Sequence, residues 1–140
     1  MNMKTKVLNP KKIEVKWHLI DADNQVLGRV ASRVAKILIG KNKVEFTPNH
    51  SIADKVVIIN SSKIRVTGNK ALSKVYYRHS NYPGGLKSET FEKRIVRRPN
   101  DVIRDAVRGM LPINRLRDVR INNLYIYEGD VHPHQGQIKL

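Results

Sequence analysis

An amphipathic helix followed by a strand with no polar alternation leaves this chain few folds to choose from. Between Leu27 and Gly40 the apolar residues Leu27, Val30, Ala31, Val34, Ile37 and Leu38 recur at helical spacing, and Gly40 stands where a C-terminal cap belongs. Lys55-Val56-Val57-Ile58-Ile59-Asn60 then forms a continuous β-branched run, the pattern of a strand buried on both faces. A helix leading into such a strand predicts a parallel crossover.

Shorter signals surround this pair. Trp17 to Ala22 reads as a strand and Asp23-Asn24-Gln25 as its turn. Lys63-Ile64-Arg65-Val66-Thr67 alternates and predicts another short strand, closed by Gly68-Asn69-Lys70. Lys74 to His79 reads as extended and Asn81 to Gly85 as a loop. Ser88 is placed to cap a helix running to about Arg98, and Asn100 to cap a second one reaching Gly109, with Pro112 as its stop. Residues 113–123 read as a basic loop, Leu124 to Tyr127 as a last strand, and 130–140 as an irregular tail. The start, 1–16, is Lys-rich, broken by Pro10, and reads as an extended basic arm. With 140 residues and neither repeats nor a linker, the chain is expected to form one domain over 17–129.

Charge bears on function. Lys and Arg number 27 against 12 Asp and Glu, a formal net charge of +15. A small soluble domain ordinarily carries a net charge of about 2 to 8, and self-repulsion at this level calls for a polyanion. The excess is spread along the chain, 14 basic against 5 acidic residues over 1–70 and 13 against 7 thereafter. This favours a domain embedded in nucleic acid over one that touches it with a single arm. The longest apolar runs fall far short of the roughly 20 residues that span a bilayer, and Met1 to Lys16 lacks the apolar stretch of a signal peptide. The expectation is a protein that makes no membrane contact and stays where it is made. The absence of cysteine excludes disulfides, thiolate zinc sites and Cys nucleophiles.

Basic residues fall in clusters. Arg29, Arg33 and Lys36 share one face of the first helix; a solvated face is the plain alternative. Lys74-Val75-Tyr76-Tyr77-Arg78-His79 interleaves cations with rings able to stack on unpaired bases, one tyrosine facing the core because strand neighbours alternate. Arg94, Arg97 and Arg98 gather at a helix end, where the helix dipole alone would also favour cations. Arg104 and Arg108 lie on the polar side of the next helix, and Arg115, Arg117 and Arg120 follow it. Lys41, Lys43 and Lys70 complete the candidate phosphate contacts, with Asn69 as a donor from its tight loop and Tyr77 and His79 as candidates for stacking or for a ribose hydroxyl.

Catalytic patterns are weak. Gly84-Gly85-Leu86-Lys87-Ser88 lacks the first glycine of a phosphate-binding loop, and no Gly-x-Gly-x-x-Gly occurs. His132 and His134 have no third ligand cluster beside them, and the carboxylates are mostly interleaved with Lys or Arg. No metal, cofactor or small-molecule substrate is expected. A helix-turn-helix is disfavoured because Pro99 leaves no typical turn between the two late helices. The rival readings are a small α/β enzyme acting on a phosphorylated substrate and a general RNA chaperone.

Several segments, in order, also resemble a known family. They are Leu27-Gly28-Arg29-Val30-Ala31, Gly40-Lys41, Phe46-Thr47-Pro48, Val66-Thr67-Gly68-Asn69-Lys70, Lys74 to His79, Gly84-Gly85, Arg108-Gly109-Met110-Leu111-Pro112, and Leu124 to Tyr127 with Gly129. The chain resembles bacterial-type large-subunit ribosomal protein L-thirteen from about Trp17 to Gly129. The resemblance implies a three-layer α/β/α domain with a mainly parallel sheet of about four strands. It also implies large-subunit rRNA as partner beside neighbouring large-subunit ribosomal proteins, an early role in subunit assembly, no catalysis, and residence in the ribosome of a bacterium or organelle. One step departs from the family pattern: Leu116-Arg117-Asp118 stands where Leu-Gly-Arg is usual, so Arg117 is a contact only on the ground of its charge.

Overall fold

The computed structural model describes residues 13–138. The basic arm expected at 1–16 therefore falls mostly outside the described residues. Three strands, β1 (Trp17–Asp21), β2 (Lys55–Ile59) and β5 (Leu124–Ile126), form a parallel sheet in the order β1-β2-β5. Val57 pairs with Leu19 on one side and Tyr125 on the other. The continuous run has the burial it implied: Val56, Val57 and Ile58 are all fully buried.

Strand alternation divides the sheet into two faces. Ile20, Val56, Ile58, Leu124 and Ile126 share one core with α1 (Leu27–Ile39) and α4 (Pro99–Met110). The helices meet through Val30, Val34 and Leu38 on α1 and Val102, Ile103 and Val107 on α4. Gly40 ends α1 in the left-handed region at φ 86°, and a Cβ there would stand 2.9 Å from Ile52, so the cap position is closed to larger residues. The opposite face carries Trp17, Val57 and Tyr125. There the layer expected to be helical is supplied, among the described residues, by the irregular tail: the His134 ring centroid lies 4.9 Å from that of Trp17 and 4.6 Å from that of Tyr125. Tyr127 Oη and His134 Nε2 are 3.0 Å apart.

The sheet has one strand fewer than expected. Asn60, at φ 57°, and a 3-10 turn over Ser61–Lys63 carry the chain off β2. Lys63 to Thr67 then contributes a single parallel bridge, Arg65 to Val26, because Leu27 already begins α1. Beyond a short helix α2 (Lys70–Ser73) lies a hairpin of β3 (Val75–His79) and β4 (Leu86–Thr90). Ser88 is thus a strand residue and not a cap. Pairing with β3 outweighs the local capping signal, and α3 (Phe91–Arg97) starts only after Thr90. Next, α4 opens at Pro99, whose missing N–H costs nothing in a first turn, and Asn100 instead accepts a hydrogen bond from Ser61 Oγ at 2.6 Å. The expected basic loop contains a helix, α5 (Leu116–Ile121), entered by a hydrogen bond from Leu116 N–H to Asn114 Oδ1.

A buried carboxylate fastens the loop between α1 and β2. Asp54 has its side chain 1% exposed and accepts hydrogen bonds from the Lys16 N–H and Lys43, with His18 Nε2 at 2.9 Å. Burial by itself would raise its pKa, but hydrogen bonds from Lys43, Lys16 and His18, with the Lys43 charge, hold it below the ordinary value. A carboxyl depressed on folding stabilises the protein above its unfolded pKa of about 4 and loses that contribution as pH falls through the folded value. Asp54→Asn should therefore cost about 3–5 kcal/mol at neutral pH. In urea unfolding the gap to the parent should narrow steadily below about pH 4; a gap constant down to pH 2 would show that the carboxylate charge contributes nothing. Ile103→Ala, at the contact of α4 with α1, should cost about 2–5 kcal/mol in the same assay, and a loss well under 1 kcal/mol would remove that contact from the core.

Candidate nucleic-acid interface

The hairpin β3–β4 stands beside α3 and the start of α4, and a cleft of about 460 Å³ lies between them. Six cations line it, Arg78, Lys87, Lys93, Arg94, Arg97 and Arg98, against two acids, Glu89 and Asp101. The hairpin register explains part of this density. Arg78 lies directly opposite Lys87 and Tyr76 opposite Glu89, so these four side chains share one face. Like charges paired across two strands are destabilising in the free protein, and an anion between them removes the penalty. Tyr77, Ser88 and His79 share the other face. Tyr77 is 70% exposed. The Asn81 N–H donates to His79 Nδ1 at 2.9 Å, which leaves Nε2–H as the free donor of the neutral ring.

Tyr76 points toward the helices. The Arg94 guanidinium lies 4.3 Å from its ring centre and Lys74 Nζ 5.3 Å from it. Burial pushes its phenol pKa up, while the nearby Arg94 charge draws it down. Arg94 is also paired with Asp105, Arg97 with Glu89 at 3.0 Å, and Arg98 with Asp101 at 3.8 Å. Surface ion pairs of this kind are worth about 0–1 kcal/mol. They hold the guanidinium groups in place at little cost in free energy.

The remaining candidates fall into three groups. Arg29, Arg33, Lys36, Lys41, Arg104 and Arg115 are exposed and stand in no ion pair among the described residues. Asn69, Lys70 and Lys74 are exposed at and after the turn into α2, the two lysines lining a second concavity, and Arg108 pairs with Asp118 at 3.5 Å. Three others serve the fold. Lys43 is spent on the Asp54 carboxylate. Arg117 Nη2 donates to the Leu111 carbonyl at 3.1 Å, so the departure at Leu116-Arg117-Asp118 packs a helix and does not extend a basic loop. Arg120 is 1% exposed, and desolvation lowers its pKa. A guanidinium covered in this way does not reach a phosphate, and Arg120 drops out of the interface. Lys87 and Lys93 were not among the candidates. Leu86–Thr90 carries one large apolar residue and no alternation, so only the pairing with β3 places Lys87 opposite Arg78.

Among the described residues no helix is long and apolar enough to cross a membrane, and no group of three or more His, Asp or Glu is placed to hold a metal. The chain matches the family model described as Ribosomal protein L13 over residues 15–133. It is 52% identical over 134 residues to the large ribosomal subunit protein uL13 of Symbiobacterium thermophilum, covering 96% of this chain and 94% of that one. The protein of the same name from Treponema pallidum is 50% identical, with 96% and 95% covered, and that from Geobacter sulfurreducens 47% identical, with 95% and 93% covered. With its motifs, its parallel sheet and its near full-length matches in agreement, the chain belongs to the ribosomal protein L13 family.

Proposed function

We propose that this protein is a structural constituent of the large ribosomal subunit. It binds large-subunit rRNA through several basic surfaces, lies beside other large-subunit proteins, supports early assembly of the subunit, and catalyses no reaction. Its place is the ribosome of a bacterium or an organelle. The observation that carries the reading is the cleft between the hairpin and α3, where Arg78 and Lys87 are held opposite one another with four more cations around them. The names of the relatives support the ribosomal part.

The geometry supports one mode of binding. Phosphates enter the cleft between Arg78 and Lys87 and replace the weak ion pair of Arg98 with Asp101, while Arg97 stays on Glu89. Each neutralised phosphate releases condensed counterions. Tyr77 stacks on an unpaired base, and His79 Nε2–H donates to a ribose or phosphate oxygen from the outer face of the hairpin. Most contacts are to sugar and phosphate, so RNA shape is read more than base sequence.

Lysate sedimentation at moderate salt is the direct test. Stoichiometric co-migration with the large subunit, resistant to a salt wash, is expected. Recovery mainly in the light fraction would overturn the structural role and favour the enzyme or chaperone. Lys87→Thr gives a second, opposed pair of readouts. Relieving the Arg78–Lys87 repulsion should stabilise the free protein by roughly 0.2–1 kcal/mol, more so at low salt. The same change should weaken rRNA binding and lower the salt slope by about 1. A variant that gains stability and keeps its full salt slope would take Lys87 out of the interface.

A further inference from the structure

A second concavity, about 380 Å³, lies between the start of α1, the segment leading into α2 and the end of α4. Its walls are largely apolar, with Val66 and the half-exposed Met110 among them. Lys70 and Lys74 bring positive charge to it, and the one acid lining it among the described residues, Asp105, is already held by Arg94. The groove is therefore cationic in effect, and its chemistry is that of a seat for an anion with an apolar body.

Two helical glycines line the groove, Gly28 in the first turn of α1 and Gly109 next to last in α4. Glycine in a helix sacrifices stability relative to alanine. The usual local reasons are a left-handed backbone or a neighbour too close for a Cβ, and neither applies. The glycines with positive φ are Gly40, Gly68 and Gly84, and a Cβ on Gly28 or Gly109 would meet nothing within 4 Å. Among the described residues, neither a left-handed backbone nor a close neighbour calls for glycine at either position. Both leave bare helix backbone facing the same groove, the condition for close approach by another backbone.

We propose that this groove seats a sugar–phosphate step of an unpaired large-subunit RNA strand, with its phosphates on Lys70 and Lys74 and its ribose against the backbone at Gly28 and Gly109. The inference rests on the RNA-binding reading above and narrows it to one site. A concavity near the low end of small-ligand pockets, about 300 Å³, admits a nucleotide or two and not a duplex. The flexible thioether of Met110 adapts to a sugar or base edge.

The test uses the full chain, a large-subunit rRNA transcript in filter binding, and thermal melts of Gly28→Ala, Gly109→Ala and Gly136→Ala. Gly136 also has open space around it but lies outside the groove. The two groove variants should melt at or above the parent temperature and bind RNA about tenfold more weakly, since an added methyl in a filled contact overpacks it. Gly136→Ala should bind as the parent does. Groove variants that bind normally would overturn the inference and leave the function standing, whereas a parent that fails to bind the transcript would sink both. Lower melting temperatures would assign the glycines to the fold. Normal binding to the transcript with lost retention in the subunit would assign the groove to a neighbouring protein instead.

Discussion

Complete burial of the centre of β2 is the constraint on which the rest of the structure depends. Val56, Val57 and Ile58 point alternately to the two sides of the sheet and none reaches water, so both sides must be covered. Helices α1 and α4 cover one, and the rings of Trp17, Tyr125 and His134 gather on the other. Apart from Arg120 on α5, the buried polar residues of the described chain, Asp54, Asn60 and Ser61, lie at the ends of this strand, and there they are tied down. Asp54 before the strand binds Lys43 and His18. After it, Asn60 Nδ2 donates to Asp21 Oδ1 at 2.9 Å and its N–H to the Gly129 carbonyl. A buried polar group left unpaired is costly, so these networks pin the loops to the strand.

With the interior so defined, the excess charge is carried at the periphery, and it is not all equivalent. Arg94, Arg97, Arg98 and Arg108 each have an acidic neighbour that orients them. Arg78 and Lys87 face each other across the hairpin. Lys43 and Arg120 have been drawn into the fold altogether. A count of basic residues cannot separate these roles, because it is blind to what each cation faces.

The same distinction explains how much could be read in advance. The helix at Leu27–Ile39 and the strand at Lys55–Ile59 were legible because long periodic or uninterrupted apolar patterns leave one arrangement that hides them. The strand Val75–His79 was legible from its composition. Its partner was not, since Leu86–Thr90 contains one large apolar residue and a serine whose capping signal points to a helix. Only the pairing across Asn81–Gly85 decides between the two, and pairing is a non-local fact. Arg120 failed for the opposite reason: charge predicts exposure until a neighbouring helix covers it. The tail gave no periodic signal, because His134 acts through ring contacts with Trp17, 117 positions earlier. The basic character of the site was visible throughout; its division into a cleft, a groove and a set of structural cations required the fold.

The hairpin joins stability to recognition. A two-stranded ribbon is marginal by itself, and this one stands apart from the parallel sheet. It is held by the Phe91 N–H on the Lys74 carbonyl, by Tyr76 against Arg94, and by Glu89 on Arg97. Two of those three ties use cations that also line the cleft. A phosphate that drew Arg97 fully away from Glu89 would loosen the ribbon that presents Arg78. A phosphate set between Arg78 and Lys87 instead removes the repulsion across the strands and tightens it. The second arrangement gains on both counts. The register of ten residues in a short hairpin thus fixes where along the cleft the two facing cations stand, with Arg97 and Glu89 as the brace behind them.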